Sequence, residues 1–357
     1  MATFDVLLPV RNGISFLGEA IESIRRQTVT DWRLLILDHG STDKSAELAD
    51  RYAKLDRRIR LFQFPHADGI AELRNFGLER CDCKYLLLQD ADDVSLPTRM
   101  SLALARFQSV PDTFAVGGDV LVIDKLGRQI GYERMPRSPA AVTAAGFFYN
   151  SMFHPAVVAN FAALQRFGAK YGKDFLNMTP AVETFSIPHL AEDYTLFGQL
   201  ALLGPCANLG VPLIKYRRHG GNSGLSNPRM QIELALQISR FLAKSFCRMR
   251  GVPEFDPAPF CNHSEHVFDL QIRDYTAQFN RMAVALRRGL GESAELEREL
   301  AFRWILANRT FGKMAARYLR FQLRHGATPS ERRTVRNWLL RNIRRGKYVY
   351  RLKGEIV

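Results

Sequence analysis

Residues 85–93 have the sequence YLLLQDADD, an apolar run that ends abruptly in three carboxylates. The run from Tyr85 has the length of a fully buried strand in a parallel sheet. The acids follow at the carboxyl end of that strand, where open α/β sheets bind their ligands. Three neighbouring carboxylates repel one another unless a cation lies among them, and Mg²⁺ and Mn²⁺ prefer oxygen ligands that they share with phosphates. On its own, the stretch indicates either a metal–diphosphate site or an acidic turn that caps the next helix.

Strand and helix patterns alternate closely on both sides of this stretch. The predicted strands are residues 4–10, 33–38, 59–64 and 85–89, and the predicted helices are residues 15–27, a segment from the cap at 40–43 to about 55, 68–79 and 97–108. This alternation predicts an α/β fold with a mostly parallel, Rossmann-like sheet and helices on both faces.

The middle of the chain gives weaker signals. Residues 134–190 carry mixed patterns and are interpreted as irregular. The elements predicted on either side are an antiparallel hairpin of residues 114–124 and 128–133, a helix from about 191 to 203 and a strand at 213–217.

From Met230 onward the pattern predicts a C-terminal all-helical region. The start of the last helix is well defined, because Thr328-Pro329-Ser330-Glu331 is a capping box with proline at the first helical position. The predicted helices are residues 230–249, 264–289, 293–324 and 330–345. The sequence therefore predicts two domains, residues 1–228 and residues 229–357.

The composition is that of a globular protein, with 46% hydrophobic and 24% charged residues. The five cysteines show neither metal-type spacing nor a disulfide framework, which indicates reduced thiols and a cytoplasmic protein. No basic segment precedes the first strand, so we expect no secretory signal. The longest stretch without charged residues, 138–165, contains Asn150, Ser151 and His154 and is interpreted as protein interior, not as a transmembrane helix.

The net charge of +14 is concentrated at the C-terminal end. Residues 301–357 contain 15 Lys and Arg against two acids, so the first 300 residues are nearly neutral and no nucleic-acid partner is expected. In the last helix an apolar stripe is surrounded by arginines, which is typical of an interfacial membrane anchor. The stripe is Val335, Trp338, Leu339 and Ile343, and the arginines are Arg332, Arg333, Arg336, Arg341, Arg344 and Arg345.

Three interpretations of this basic tail remain open. We expect salt-sensitive, peripheral attachment to an anionic membrane surface, on the inner face of the cell membrane, that depends on residues 328–357. In the second interpretation the stripe packs on the preceding helices and the arginines are solvated. In the third, the basic face binds an acidic polysaccharide acceptor.

Several motifs now form a recognisable order along the chain. They are PVRNGISFLGEAIESIRRQTVTDWRLLILDHGSTDKS at 9–45, ELRNFGLE at 72–79, LLLQDADD at 86–93, FHP at 153–155, AEDY at 191–194 and YRRHGGNS at 216–223. Together they resemble glycosyltransferase family 2 over about residues 3–225. The resemblance implies a GT-A fold, a bacterial type of enzyme and transfer of a sugar with inversion from a nucleoside-diphosphate sugar.

The resemblance also implies which residues bind the donor. The implied nucleotide-binding residues are Pro9, Val10, Arg11, Asp38, Arg74, Asp90 and Ala91. Asp38 is expected to accept hydrogen bonds from the base, and it could equally cap the turn that follows its strand. His39 departs from the family, which often has a second acid there. The Arg74 guanidinium could pair with the diphosphate or hold Asp38 or Asp90 in place.

The remaining implied residues carry the chemistry. Asp92, at the last position of the Asp-x-Asp pattern, and His219 are expected to bind a divalent metal, Mn²⁺ or Mg²⁺. Asp193 is expected to be the general base that takes the proton of the acceptor hydroxyl, although adjacent acids at a helix start also resemble a plain cap. Asp93 is expected to cap the helix that begins near Pro97.

We therefore expect residues 1–228 to be a nucleotide-sugar-binding catalytic domain and residues 229–357 a basic region associated with the acceptor or a membrane. The expected activity is that of a metal-dependent hexosyltransferase that uses a UDP-sugar and a glycan or lipid-linked glycan acceptor, in surface polysaccharide synthesis. One alternative is a nucleotide-sugar-binding scaffold without catalysis. Another is a sugar nucleotidyltransferase, but residues 9–13 are not the glycine-rich loop that such enzymes have after their first strand.

Overall fold

A computed structural model describes residues 2–177, 186–187, 189–221, 228–262 and 273–343. The chain divides into two compact units. The first contains residues 1–139 and 152–226, and the second contains residues 140–151 and 227–357. Residues 140–151 therefore belong to the second unit, although the sequence predicts them within the first domain.

The first unit is built on a nine-stranded sheet whose first half is parallel. Its strand order is β3-β2-β1-β4-β8-β6-β9-β5, with β7 paired to β6. The parallel half consists of β1 (Phe4–Val10), β2 (Trp32–Asp38), β3 (Ile59–Gln63) and β4 (Tyr85–Leu88). β1 and β4 are buried along their whole length, as apolar strands of a parallel sheet should be, and the one charged residue of β1, Asp5, pairs with Arg33 at 2.7 Å. The predicted mostly parallel sheet is confirmed.

The second half of the sheet mixes directions. β8 (Val158–Asn160) lies antiparallel between β4 and β6 (Ala115–Ile123), and β6 pairs in parallel with the long β9 (Cys206–Arg217). The two remaining strands are β7 (Gln129–Glu133), which completes the predicted hairpin with β6, and β5 (Val94–Ser95), which pairs with β9. Through β5, the end of β9 lies beside the turn that follows β4.

Helices cover this sheet and close its core. They are α1 (Ile14–Arg25), α2 (Ser45–Leu55), α3 (Ile70–Leu78), α4 (Arg99–Ser109), α6 (Phe161–Arg166) and α7 (Glu192–Leu203). The helix predicted at 15–27 is confirmed as α1, in which Leu17, Ala20, Ile21 and Ile24 are fully buried in one cluster with β1 and β2. Within the described residues, no helix is both long enough and apolar enough to cross a membrane.

The second unit is helical in its described part. It contains α8 (Pro228–Arg250), α9 (Thr276–Leu290), α10 (Ala294–Arg303), α11 (Phe311–His325) and α12 (Pro329–Ile343). Residues 140–151 join it through Phe147, whose ring lies 5.1 Å from that of Phe246 and whose carbonyl accepts a hydrogen bond from Ser239. The predicted capping box of α12 is confirmed, since Thr328 N–H donates to Glu331 Oε2 at 2.7 Å and Glu331 N–H donates to Thr328 Oγ1 at 3.2 Å.

Two predictions about secondary structure are wrong. Residues 134–190, predicted to be irregular, contain α6, β8 and α5 (Pro139–Ala145). The single helix predicted over 293–324 is two α-helices. The first ends at Arg303, a 3-10 turn follows over Trp304–Ala307, and Asn308 then forms an antiparallel bridge with Asp274. The described residues do not include the first part of the helix predicted at 264–289. They also do not include the last two residues of the helix predicted at 330–345.

Two members of the apolar stripe of α12 face the interior of the second unit, Leu339 is half-buried, and the side chain of Ile343 lies outside the described residues. Val335 and Trp338 are buried, the Trp338 ring lies 5.3 Å from that of Phe302, and its Nε1 donates to the Asn262 carbonyl at 3.2 Å. This agrees with the second interpretation, in which the stripe packs on the preceding helices. Trp338 is therefore not exposed to enter a membrane interface. The side chain of Arg341, and Arg344 and Arg345 entirely, lie outside the described residues.

Candidate active site

The carboxyl ends of β1 and β2 lie at the same edge of the sheet and are linked by a backbone hydrogen bond. Val10 is opposite Asp38 in the parallel register, and the His39 N–H donates to the Val10 carbonyl at 2.9 Å. Asn12 adopts a left-handed backbone (φ 53°), from which its Oδ1 accepts the Thr42 N–H at 2.7 Å. The two loops after these strands therefore form one rim of the crevice. Pro9 and Val10 are buried in β1, and Arg11 is exposed on the rim.

Asp38 ends β2 as a buried residue. Its carboxylate accepts the Ser41 N–H at 3.2 Å, so it caps the turn, as one of its two expected roles requires. His39 lies next to it, and its Nε2 is 3.0 Å from the Ala67 carbonyl. The imidazole thus joins the β2 loop to the segment that leads into α3.

Arg74 on α3 is the centre of a buried polar cluster. Its Nη2 donates to Asp90 Oδ1 at 3.0 Å, and its Nη1 forms an ion pair with Glu192. The guanidinium carbon lies 5.5 Å from the centre of the Tyr171 ring. Of Asp38 and Asp90, the two partners that the sequence suggests for Arg74, the structure pairs it with Asp90. Both ends of its guanidinium fork are engaged by carboxylates.

His154 packs against this cluster through Tyr171 and Asp90. Its Nε2 is 3.2 Å from the Tyr171 hydroxyl, and its Nδ1 is 3.8 Å from Asp90 Oδ1. Burial holds the pKa of His154 well below its usual value, and the positive charges of Arg74 and Arg99 lower it further. The imidazole is therefore part of the packed floor below Asp90.

The three acids of the turn after β4 have different environments. Asp93 is fully buried and its Oδ1 accepts the Arg217 N–H at 2.9 Å. Burial raises the pKa of Asp93 well above its usual value, and the charges of Asp92 and Asp90 add to this effect. The expectation that Asp93 caps the next helix is wrong, because β5 follows it and α4 begins only at Arg99.

A buried network beneath the turn fixes its backbone. Gln89 Nε2 donates to the carbonyls of Asp90 (3.0 Å) and Asp93 (2.9 Å). Arg99 supports Gln89 at 3.3 Å and also donates to the Leu88 carbonyl at 2.7 Å. Buried polar groups that are satisfied in this way make a turn rigid. The acidic turn is therefore held in place by residues that do not themselves reach the crevice.

Arg217, at the end of β9, supports the turn from the opposite side. Its Nε donates to the Asp92 carbonyl at 2.9 Å, and its guanidinium forms an ion pair with Glu19 on α1. The guanidinium carbon also lies 4.7 Å from the centre of the Phe16 ring. One buried arginine thus joins β9, the acidic turn and α1.

Asp92 and His219 face each other directly. His219 Nε2 is 2.8 Å from Asp92 Oδ2, and its ring lies 4.9 Å from that of Phe16. A carboxylate oxygen and an imidazole nitrogen at this separation fit two ligands of one divalent ion. Among the described residues there is no cluster of three or more protein ligands, so further ligands would come from the substrate diphosphate and water. The residues present therefore fit a metal that is shared with a substrate.

Glu192 and Asp193 begin α7 but occupy different environments. Ala191, in a left-handed conformation (φ 59°), turns the chain into the helix. Glu192 is buried against Arg74, and burial raises the pKa of its carboxyl to about 7, with the Arg74 charge opposing. Asp193 is only partly buried, and it lies close enough to Asp90 for its charge to raise the pKa of that carboxyl. The helix start therefore presents one acid to the crevice and holds the other inside.

The family model for glycosyl transferase family 2 matches residues 5–163, which contain β1 to β4 and the acidic turn. This part of the chain is a glycosyltransferase family 2 domain. This glycosyltransferase is 25% identical to an uncharacterized glycosyltransferase of Haemophilus influenzae over 244 residues, which are 66% of this chain and 72% of the relative. It is 32% identical to the glycosyltransferase GlyG of Streptococcus pneumoniae over 90 residues, 25% of this chain and 30% of that protein.

The fold of the glycosyltransferase resembles that of a known structure. The crystal structure of S. aureus TarS 1-349 in complex with UDP-GlcNAc matches with a TM-score of 0.53 and 15% identity, over 95% of this chain and 90% of that one. The two proteins therefore share the GT-A fold.

Three residues that support the site of this glycosyltransferase are not predicted by its sequence. They are Gln89, Arg99 and Arg217, which hold the acidic turn from inside. Arg217 ends β9 two positions before His219, and strand alternation gives no signal for it because His219 lies beyond the strand. Gln89 and Arg99 carry no signal either, since neither differs in sequence from an ordinary strand-end or helix residue.

Proposed function

We propose that this glycosyltransferase moves a sugar from a nucleoside-diphosphate sugar, a UDP-sugar, to a hydroxyl of a glycan or lipid-linked glycan, with inversion at the anomeric carbon. The observation that carries the proposal is the separation of the two acids at the start of α7. Glu192 is buried and paired with Arg74, whereas Asp193 is partly exposed near Asp90. A carboxylate that is accessible at a crevice and held on a rigid helix is what a general base requires.

In this proposal Asp193 takes the proton of the acceptor hydroxyl. The hydroxyl oxygen forms a bond to the anomeric carbon, and the bond from that carbon to the diphosphate oxygen breaks on the opposite side. The electron pair of the broken bond leaves with the diphosphate. Atoms and charges balance, because the proton lost by the acceptor is held by the carboxylate.

The donor would lie on the rim formed by the ends of β1 and β2. Pro9, Val10 and Arg11 would line the nucleotide. Asp38 would bind the base through the lone pairs that remain after its two carboxylate oxygens share the Ser41 N–H. Asp90 and Ala91 would contact the ribose and the start of the diphosphate. Arg74 has both ends of its guanidinium on carboxylates, which favours a positioning role through Asp90 over direct contact with the diphosphate.

Asp92 and His219 would hold a divalent metal at this site. When bound, such an ion neutralises the charge that develops on the leaving diphosphate. Metal-bound histidines usually donate a hydrogen bond from the other ring nitrogen. His219 Nδ1 instead accepts the Gly221 N–H at 3.2 Å, so ligation through Nε2 would require the proton to move to Nδ1 and this contact to open.

A donor screen tests the proposal. The chain is incubated with a panel of UDP- and GDP-sugars and Mn²⁺, with and without chelator, and release of the nucleotide is measured. UDP-GlcNAc is included because it is bound in the TarS structure. We expect slow hydrolysis of one UDP-sugar that stops when the metal is chelated. Binding of UDP without hydrolysis or transfer from any donor would favour the non-catalytic scaffold instead.

The variant Asp193→Asn then tests the general base. We expect it to bind UDP as the wild type does and to lose about 10²–10⁴ in single-turnover rate, the usual contribution of a general base. Glu233→Gln, on an exposed ion pair in α8, is the matched control for loss of one charge. Loss of UDP affinity with unchanged chemistry would make Asp193 a donor-binding residue and would contradict this assignment.

A further inference from the structure

Helix α11 has an exposed apolar strip opposite its buried side. Met314 and Phe321 are buried in the second unit, and the Phe321 ring lies 5.3 Å from that of Phe302. On the other side, Leu319 is 61% and Leu323 is 89% exposed. They are four positions apart, so they lie on one face of the helix. Two leucines on one helix face are thus left in contact with water in the described structure.

Basic side chains line one edge of this strip. Lys313, Arg320 and Arg324 are exposed, and the two arginines each follow a strip leucine by one position, about 100° around the helix. Arg317 completes the row, but it is tied down by the Trp304 carbonyl at 3.0 Å. No acidic residue occurs between 311 and 330. The face is therefore apolar in its centre and positive along one side.

Among the described side chains of α12, Leu340 is the one large apolar residue that is exposed, at 42%, against 61% and 89% for the two leucines of α11. Val335 and Trp338 of its stripe are buried and are not available to a membrane. Its single acid, Glu331, is bound by Arg298 at 2.7 Å. The acid therefore does not neutralise the row on α11. A docking surface in this region has to be sought on α11 and not on the helix that the sequence favours.

We propose that the outer face of α11 docks on the surface of an anionic lipid bilayer. Leu319 and Leu323 enter the boundary between headgroups and acyl chains, and Lys313, Arg320 and Arg324 contact anionic headgroups, the arrangement of an interfacial amphipathic helix. An acidic glycan would use the row of cations but leaves the two leucines in water. A second copy of the chain would bring two positive rows together, which like charges oppose. The lipid surface is the occupant that uses both parts of the face.

Vesicle flotation tests the leucines. The full chain is mixed with vesicles of phosphatidylcholine alone or with added phosphatidylglycerol, at low and high salt. We expect flotation with the anionic vesicles at low salt and a decrease at high salt. The double variant Leu319→Glu/Leu323→Glu should bind these vesicles at least about 100-fold more weakly, because it loses two inserted leucines and gains two repelled charges. Equal flotation of this variant and the wild type would overturn the proposal.

A matched control keeps the charge change constant. Leu55 and Leu126 are 78% and 67% exposed in the first unit, so Leu55→Glu/Leu126→Glu makes the same substitution at two isolated exposed leucines. We expect it to float as the wild type does. If it loses flotation to the same extent, general charge and not the α11 face governs binding, which would contradict the proposal. Thermal unfolding of both variants shows whether the fold is retained.

A second variant tests the cations independently. Lys313→Gln/Arg320→Gln/Arg324→Gln should weaken binding to anionic vesicles about 100-fold, or about 3 kcal/mol at about 1.4 kcal/mol per factor of ten, and should abolish the dependence on salt. Size-exclusion chromatography and binding to dextran sulfate separate the other occupants. If the wild type is a dimer and the leucine variant is a monomer, the face is an interface between copies. Binding of dextran sulfate without any flotation would identify a polyanion site, and either result would overturn the proposal.

Discussion

Arg74→Met removes the cation that pairs directly with Glu192 and Asp90. Arg74 is buried and pairs with Glu192 and Asp90, of which Glu192 is also buried. Methionine keeps much of the side-chain volume but none of the charge. Breaking a buried pair by removing one partner costs about 3–5 kcal/mol. For a unit of this size, each kcal/mol lowers the melting temperature by about 2–4 °C, so we expect a decrease of about 10 °C at pH 8.

The loss of stability should be smaller at acidic pH. Burial already raises the pKa of Glu192 to about 7 when Arg74 opposes it, and without Arg74 the value rises further. A carboxyl whose pKa is higher in the folded state than its unfolded value of about 4.3 stabilises the fold at low pH, and that contribution is lost as the pH rises through the folded value. The variant should therefore regain stability as the pH falls from 8 to about 5.5, to a greater extent than the wild type.

Urea unfolding at pH 8 and pH 5.5 measures both effects. Arg80→Met is the control for loss of one arginine. Arg80 is exposed just after the same helix and donates to the Phe76 carbonyl at 2.8 Å, so its loss should cost much less than that of the buried Arg74. The double variant Arg74→Met/Glu192→Gln should recover part of the loss, because one uncompensated carboxylate is gone. Equal unfolding free energies for Arg74→Met and Arg80→Met at pH 8, or a loss that does not depend on pH, would refute the reasoning.

Three further predictions concern the acidic turn. Asp92→Ala should abolish transfer and remove the effect of Mn²⁺ on UDP affinity, measured by calorimetry with and without chelator; normal activity in chelator would contradict the metal assignment. Arg217→Lys keeps the charge but loses the Nε contact to the Asp92 carbonyl, so an activity titration should require more Mn²⁺ while the rate at saturating Mn²⁺ changes little. Asp93→Asn should be at least as stable as the wild type at pH 8 and should flatten the dependence of stability on pH. The reason is that the raised pKa of Asp93 makes the wild type lose stability as the pH rises above about 3.9, the unfolded value. A large loss of stability at pH 8 would show that Asp93 is ionised.

The sequence predicts the parallel half of the fold well because each element there has a strong local signal. β4 is a continuous apolar run, β1 is apolar except for Asp5, and α1 has a clear helical period. The capping box of α12 is likewise a local pattern with a defined geometry. By contrast, α5 is buried on almost all sides, so its apolar positions show no helical period. β8 has only three residues, too few for a period of two to be visible.

Long-range contacts of the site are not encoded in any local pattern. Asp92 and His219 are each visible as a polar residue near a strand end, but their 2.8 Å contact depends on β5 pairing with β9, and β5 is a two-residue strand. The number of acids in the turn does not by itself predict how their repulsion is relieved. The sequence indicates that three acids need a cation, whereas the structure relieves their repulsion by burying Asp93 in a form favoured to be neutral and pairing Asp90 with Arg74. The roles of Asp193 and the other expected site residues stay predictions.

The way the acidic turn is braced also has a consequence for protein abundance in a cell. Arg217 and Gln89 hold the turn through its backbone carbonyls, so the fold does not require the Asp92 carboxylate to keep its shape. Cellular quality control degrades chains according to their unfolded fraction, and a loss of about 1–2 kcal/mol can change abundance several-fold. Substitutions at Arg74 should therefore deplete the protein, whereas substitutions at Asp92 should leave it abundant and inactive. An abundant inactive chain can still occupy the acceptor, so Asp92 variants should interfere with the wild-type enzyme when both are expressed together.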